Sequence, residues 1–382
     1  MQSNASKKAI IIGGGIGGVT AAIALQQAGF DVTVFERADE LREVGSGLPL
    51  WTNALRALQK IGLNDVLEIL GAPVMVASVS TWQGDILADL RTEELLEQVG
   101  TINRVVHRAE LLALLLEALG ADKVQLGATC VGFTQDASGV CARFAGGREV
   151  RGDVLIGADG LHSVIRAQLF GASQPRYAGY TCYRGLAHIS RTGLATWAWG
   201  KGYQVGITPM SKERVYWFAQ LYAPEGAPDK AIGRKRELLE LFHDWHDPIP
   251  QVIEATAESD ILRNDIYESK PLRHWSLGRV TLLGDAPHTM TPNLGQGACQ
   301  AIEDAVELGA CLKAEPDIVT ALKLYEKRRV RRTNMVAQLA RLVGRVAQWE
   351  QPTVCGARNT IIKRIPVSLE LKIMMWIIDY KP

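Results

Sequence analysis

Lys8-Ala9-Ile10-Ile11-Ile12-Gly13-Gly14-Gly15-Ile16-Gly17-Gly18, an alanine-rich stretch to Gly29, and then Asp31-Val32-Thr33-Val34-Phe35-Glu36-Arg37 decide the reading of this chain. The apolar run Ala9 to Ile12 suits a buried parallel strand. Val19, Ala22, Ile23 and Leu25 supply an apolar helix face, and Gly29 marks the end of that helix. Gly13, Gly15 and Gly18 match G-x-G-x-x-G, in which the glycines serve a tight turn, close backbone approach to a pyrophosphate, and close helix–strand packing. The anion then rests on the helix N-terminus. Glu36 closes the second strand 18 residues after Gly18, where a carboxylate accepts hydrogen bonds from a ribose hydroxyl. Strand, glycine turn, helix, strand and acid together read as a dinucleotide-binding βαβ unit.

Outward from this unit, 382 residues allow two or three domains at roughly 100–200 residues each. A composition of 47% hydrophobic and 22% charged residues is that of a folded globular chain, and excludes disorder and a predominantly membrane-embedded protein. Forty-two Lys and Arg against 41 Asp and Glu leave no bulk electrostatic case for a nucleic-acid partner. The six cysteines form no C-x-x-C pair, which disfavours structural zinc and a dithiol centre, and no metal is expected. The apolar run Ala9 to Ile12 is too short for a signal or a span, so a cytoplasmic protein is expected.

The usual continuing βα series does not follow. The pattern predicts a helix from Asn53 to about Leu70, another within 101–120 introduced by His107-Arg108-Ala109-Glu110, and hairpin strands over 123–156 from Val124, Leu126, Val131, Phe133, Val140, Ala142 and Phe144. Asp153 to Ile156 then runs into Gly157-Ala158-Asp159-Gly160. Aromatic strands are predicted at Tyr177–Leu186, Trp197–Ile207 and Arg214–Tyr222, and a helix at 231–245. The first pattern returns in the strand Arg279–Leu283, the turn Gly284-Asp285, and Pro292-Asn293-Leu294-Gly295-Gln296-Gly297-Ala298 opening a helix. A second helix N-terminus behind glycines is a second place to hold negative charge.

These three stretches, in this order, resemble the signature set of the single-component FAD-dependent aromatic hydroxylases, the p-hydroxybenzoate and salicylate hydroxylase type. Urate hydroxylase, 3-hydroxybenzoate 6-hydroxylase and zeaxanthin epoxidase are near relatives within it. The resemblance implies an α/β fold: a discontinuous, glutathione-reductase-like Rossmann domain for FAD (1–72, 101–172 and 276–330), substrate-domain strands and sheet (73–100 and 173–275), and a C-terminal helical region (331–382). It implies FAD along Gly13, Gly15, Gly18, Glu36 and Arg37, with Gly47 among the cofactor-binding residues, Arg108 on the flavin side and the Val131 backbone at the adenine. Asp159 serves the aspartate–glycine turn, Asp285 the pyrophosphate, and Gly295, Gln296, Gly297 and Ala298 the isoalloxazine edge. NADH or NADPH would be a transient reductant and dioxygen a co-substrate. Oxygen would pass through a flavin C4a-hydroperoxide to a small-molecule ring substrate.

Three side chains are candidates for the chemistry. Tyr216 could orient or deprotonate a substrate phenol or be a core residue of its aromatic strand, and His288 could reach the flavin or be a buried histidine bonded to a carbonyl. Gln204 aligns where urate hydroxylase carries an arginine, and a neutral amide cannot reproduce a bidentate charged contact. Arg184 would suit a carboxylate-bearing substrate or the nicotinamide phosphate, or be a solvated strand end. The basic stretch 323–345 reads as an amphipathic helix that either covers the domains with a solvated basic face or, with Ile365 to Tyr380, makes weak peripheral membrane contact. The within-class rival is epoxidation of an isoprenoid or polyene. A flavin halogenase is disfavoured because Trp197-Ala198-Trp199-Gly200 continues as Lys201-Gly202 rather than Ile-Pro, and a non-catalytic escort protein because the glycines, Glu36 and Asp285 are intact.

Overall fold

The strand Lys8–Ile12 lies inside a six-stranded sheet whose order is Ser276–Leu277, Val280–Leu282, Val154–Gly157, Lys8–Ile12, Asp31–Phe35 and Val124–Gln125. All neighbours are parallel except the Ser276–Leu277 edge, and Ile10 pairs with Leu155 on one side and Thr33 on the other. Ala9 to Ile12 are buried, as expected of a strand covered on both faces. The computed structural model describes residues 6–41, 46–64, 71–74, 76–89, 97, 103–190, 194–211 and 213–380.

Two helices that enter from glycine turns pack on each other: Ile16–Gln27 and Gly297–Ala314. Their approach depends on missing side chains. A Cβ on Gly309 would press on Ala24 at 2.8 Å, and one on Gly17 on Leu283 at 2.9 Å. The helix after the second glycine stretch is therefore held directly against the helix after the first, and both N-termini serve one side of the molecule.

A seven-stranded sheet of the order Leu262–Glu268, Arg176–Ala187, Val215–Tyr222, Tyr203–Pro209, Leu194–Trp199, Val76–Thr81 and Ile86–Asp89 forms the other body of the fold. Its central strands alternate in facing, with register shifts at Tyr177/Thr181 and Val79/Ser80. Tyr183, Ala187, Ala198, Val205, Ile207, Val215, Trp217 and Ala219 form one core with the helices Arg234–Phe242 and Ile249–Glu254. The intervening residues face away from these helices.

Several expectations change. Val124–Gln125 joins the main sheet in parallel instead of starting a hairpin, while Cys130–Asp136, Gly139–Phe144 and Glu149–Gly152 do form an antiparallel sheet. Trp197–Ile207 is two strands, because Gly202 takes φ +79° in the turn between them. The helix expected from Asn53 spans Thr52–Lys60 and stops before Gly62 at φ +79°; residues 65–70 lie outside the described set. The helix expected over 231–245 runs only from Arg234 to Phe242. The strand Arg104–His107 precedes the helix Arg108–Leu119. The basic stretch is part of one long helix, Ile318–Ala347, followed by Pro352–Lys363 and Val367–Ile378.

Candidate flavin and substrate site

Gly13 takes φ +112°, and a Cβ there would collide with the Ala158 carbonyl; one on Gly18 would collide with the Gly13 carbonyl. Gly15 differs, because nothing lies within 4 Å of the position its Cβ would take. It stands at the N-cap of Ile16–Gln27, without a side-chain cap, facing open space. That is a cradle for an anion on free backbone N–H groups. The half-buried Glu36 accepts from the Gly14 N–H at 2.7 Å and the Ala38 N–H at 3.0 Å, so its carboxylate lies against the turn, and Arg37 is exposed beside it. The ladder between Cys130–Asp136 and its partner jumps from Gly132 to Cys130, leaving the Val131 backbone out of the pairing.

Asp159 accepts from the Val164 N–H at 2.8 Å, the Ile165 N–H at 3.2 Å and the Ser163 hydroxyl at 2.5 Å. It caps the helix Val164–Phe170 and fixes the Gly157–Gly160 turn, although burial outweighs these bonds and raises its carboxyl. Asp285 is exposed at the start of a one-turn helix after Gly284, whose φ is +65°. Arg108 is half-buried, and its N–H donates to the Ser46 carbonyl. Gly295 is left-handed at φ +61°, and Gly297, like Gly15, has no atom within 4 Å of a Cβ position. The Gln296 Oε1 accepts from Asn53 and Gln300 at 3.0 Å each, while its Nε2 is buried without a partner, as is the Trp51 Nε1 nearby. Two open glycine positions at helix N-termini and two buried unpaired donors fit FAD, with Gly13–Gly18 and Asp285 for its diphosphate and Gly295–Ala298 for the ring edge. Cys299 packs between Pro49 and Trp51, and burial pushes its thiol up to about 12, so it is an inert neutral group.

Opposite this turn lies the face of the seven-stranded sheet turned away from Arg234–Phe242 and Ile249–Glu254; the end of Ile318–Ala347 and the helix Pro352–Lys363 pack on it at Trp197 and Trp199. The register pairs Thr208 with Tyr216, Gly206 with Phe218 and Gln204 with Gln220, so all six share that face with Trp197 and Trp199. Gly47 passes so close over Tyr216 that a Cβ would strike the ring, and Gly206 leaves room for the Phe218 ring. Trp197 meets Trp199 edge-on at 5.1 Å and Phe218 at 6.5 Å. Gln204 is fully buried; its Oε1 accepts from the Trp197 Nε1 at 2.9 Å, and its Nε2 has no partner among the described residues. Asn293 ties the two walls together, donating to the Gln220 Oε1 at 2.9 Å and accepting from the Tyr180 hydroxyl at 2.6 Å. Burial pushes the Tyr216 phenol well above its ordinary value, with Cys182 adding to the shift and Arg184 opposing it. This burial favours the protonated phenol.

His288 is placed elsewhere. It is buried, and its Nε2 donates to the Asp304 carboxylate at 2.6 Å, a carboxylate where the sequence suggested a carbonyl. Asp304 also accepts from the Gly284 N–H at 3.1 Å and the Arg329 Nε at 2.7 Å. Arg329 pairs in addition with Glu303, and Arg332 grips the other side of Glu303. Burial alone would raise the Asp304 carboxyl, but His288 and Arg329 hold it below the usual range. Sequence reasoning missed this network behind the flavin turn. Its available signal was the acidic pair Glu303-Asp304 inside a largely apolar helix that also carries Gln300 and Glu307, opposite an arginine-rich stretch.

A family model described as FAD binding domain matches residues 6–340. The chain belongs to this family. It is an FAD-dependent monooxygenase of the aromatic hydroxylase type. It is 40% identical to the aurachin C monooxygenase/isomerase of Stigmatella aurantiaca, over 93% of each chain. Two solved structures of Klebsiella pneumoniae HpxO match with a TM-score of 0.92. One, an arginine-to-glutamine variant complexed with FAD, is 33% identical and is matched over 98% of this chain and 99% of its own. The other, complexed with FAD and uric acid, is 32% identical over 100% and 98%.

Proposed function

We propose that the chain hydroxylates a planar, electron-rich aromatic or heteroaromatic ring between the Gly295–Gly297 turn and the inner face of the seven-stranded sheet, with NADH or NADPH as reductant and dioxygen as co-substrate. FAD, when bound, supplies the reduced flavin that activates dioxygen. The observation that carries the substrate reading is Gln204. Its Nε2 is buried among rings without an acceptor, and an unpaired buried donor costs about 1–3 kcal/mol. A ring carbonyl or ring nitrogen of the substrate would satisfy it. Trp197 and Phe218, packed edge-on against each other, would give the ring an apolar wall and exclude water.

Tyr216 would donate its neutral hydroxyl and orient the ring. Arg184 lies on the same face, bonded to the Asn264 Oδ1 at 2.6 Å, with a buried unpaired Nε that favours a substrate oxygen carrying negative charge. The N–H groups at the start of Gly297–Ala314 would steady negative charge on the reduced ring. In this reading the seven-stranded sheet is the substrate domain, and residues 1–72, 101–172 and 276–330 hold FAD along the two glycine turns.

Following NADH and NADPH oxidation with phenols, quinolones, purines and polyenes, with peroxide and product mass measured together, tests the reading. The expected outcome is one stimulating ring compound, a product heavier by one oxygen atom and little peroxide. An epoxide from a polyene would replace the hydroxylase reading, and peroxide alone with every ring compound would remove it. Gln204→Leu should lower kcat/KM about tenfold or more, through the loss of the bond to the substrate and of the one from Trp197, without loss of flavin.

A further inference from the structure

Residues 318–380 hold twelve Lys and Arg against four Asp and Glu, in a chain that is almost neutral as a whole. Part of this charge is spent internally. Arg329 and Arg332 pair with Glu303, Arg328 with Glu307 and Arg341 with Glu268, and the buried Arg358 donates to the Ala347 and Gly200 carbonyls. Lys327, Arg331, Lys363, Arg364 and Lys372 are exposed and have no ion pair among the described residues.

Apolar side chains lie exposed beside these cations. On the helix Val367–Ile378, Leu369, Ile373 and Trp376 are 48%, 44% and 42% exposed at spacings of four and three, which is one face of the helix. Met335 on the long helix is 42% exposed. The opposite face of the C-terminal helix is anchored: Ile378, with Leu371 and Met374, packs in a cluster with Trp51 and Leu294, next to the flavin turn. Arg332 donates to the Trp376 and Ile377 carbonyls at 3.0 and 2.7 Å, and its guanidinium lies 4.3 Å from the Tyr380 ring centre. Between the two helices runs a groove of about 650 Å³ lined by Lys327, Arg331, Met335, Trp376, Tyr380 and Asp379, the last paired with Arg56.

We propose that this face docks on an anionic phospholipid bilayer, with a headgroup phosphate in the groove at Lys327 and Arg331 and with Leu369, Ile373 and Trp376 at the headgroup–acyl boundary. No described helix is long and apolar enough to cross a membrane, so the contact is peripheral. Unpaired cations flanking Trp and aliphatic side chains on a rigid helix complement such a surface in both charge and polarity. A second copy of this face would bring like charges together, and a nucleic acid would leave the aliphatic side chains unused. The helix is itself about 10–12 Å across, so docking brings Leu294 and the site's rim within one helix diameter of the lipid. The docking does not depend on which ring is hydroxylated.

Flotation of the FAD-loaded protein with vesicles of phosphatidylcholine alone, or mixed with phosphatidylglycerol, tests this. Binding should require phosphatidylglycerol and weaken with salt. Lys363→Glu and Lys372→Glu should each lower partitioning about fivefold or more, since each surface cation contributes about 1 kcal/mol. Leu369→Ser with Ile373→Ser should lower it about tenfold through lost apolar insertion, with the flavin spectrum unchanged. Absence of flotation, equal binding to neutral vesicles, or light scattering showing a dimer that Leu369→Ser converts to monomer would each overturn the proposal.

Discussion

The two walls of the cleft are built in opposite ways. The flavin wall is made of glycines: Gly13 and Gly18, where backbone contact leaves no room for a side chain, and Gly15 and Gly297, which leave open space before the helix N-termini. The facing wall is made of large side chains, Tyr216, Phe218, Trp197 and Gln204, in a fixed two-residue alternation. A wall without side chains cannot brace itself. Its support comes from behind, where Asp304 receives the Gly284 N–H, His288 and Arg329, and Glu303 receives Arg329, Arg332 and Asn53.

Removing that support is the harshest way to break the contrast. Arg329 is fully buried with both its carboxylate partners, and Arg329→Met leaves two carboxylates without it. Losing one partner of a buried ionic cluster costs about 3–5 kcal/mol, which denaturant titration of the flavin-loaded protein should report. The pH dependence has a definite sign. Asp304 is lowered in the folded protein, so its contribution is fully present above the unfolded value of about 3.9. It disappears as the pH falls through the lower folded value. The gap between wild type and variant should therefore narrow in acid. A variant as stable as the wild type at pH 7 would show that the flavin wall stands without the network.

The same contrast explains what the sequence discloses. Glycines forced by contact recur at recognisable spacings, so both turns, the βαβ unit and the fold class are legible from the order of residues alone. The sheet wall is less so, because Val215-Tyr216-Trp217-Phe218-Ala219 is apolar on both faces and only the register shows that Tyr216 and Phe218 face one way and Trp217 the other. The basic helix misleads for a different reason. Charge suggests solvent, yet Arg329 is fully buried because its partners come from a helix some 25 residues earlier. Where His288 sits is set by that same long-range pairing, which no local pattern carries.

A milder substitution sharpens the distinction between glycines that hold the fold and glycines that hold a ligand. A Cβ at Gly15 meets no atom of the chain within 4 Å, and Gly15 has an ordinary extended φ of −74°. Gly15→Val should therefore fold with a melting temperature close to that of wild-type apoprotein while losing FAD affinity by about ten- to hundredfold, as side-chain carbons enter the anion cradle. Gly13→Val, strained at φ +112° and blocked by the Ala158 carbonyl, should fail to fold well. Retention of bound flavin absorbance by the Gly15 variant through gel filtration would mean that the first turn is not where the diphosphate rests.

On the opposite wall, the smallest expected effect is the most informative about chemistry. Tyr216 lies where a base for a substrate hydroxyl would be useful, but burial keeps its phenol protonated far above neutral pH. If its role is to orient the ring through one neutral hydrogen bond, Tyr216→Phe removes about 0.5–1.5 kcal/mol. That is roughly a two- to tenfold fall in kcat/KM, with the limbs of the pH profile unmoved. If Tyr216 were the base, the basic limb of the profile would shift or vanish in the phenylalanine variant, because the group that titrates there would be gone. The distinction rests on the shape of the profile rather than the size of the loss, since a displaced ring lowers the rate at every pH, whereas a missing base changes which pH matters.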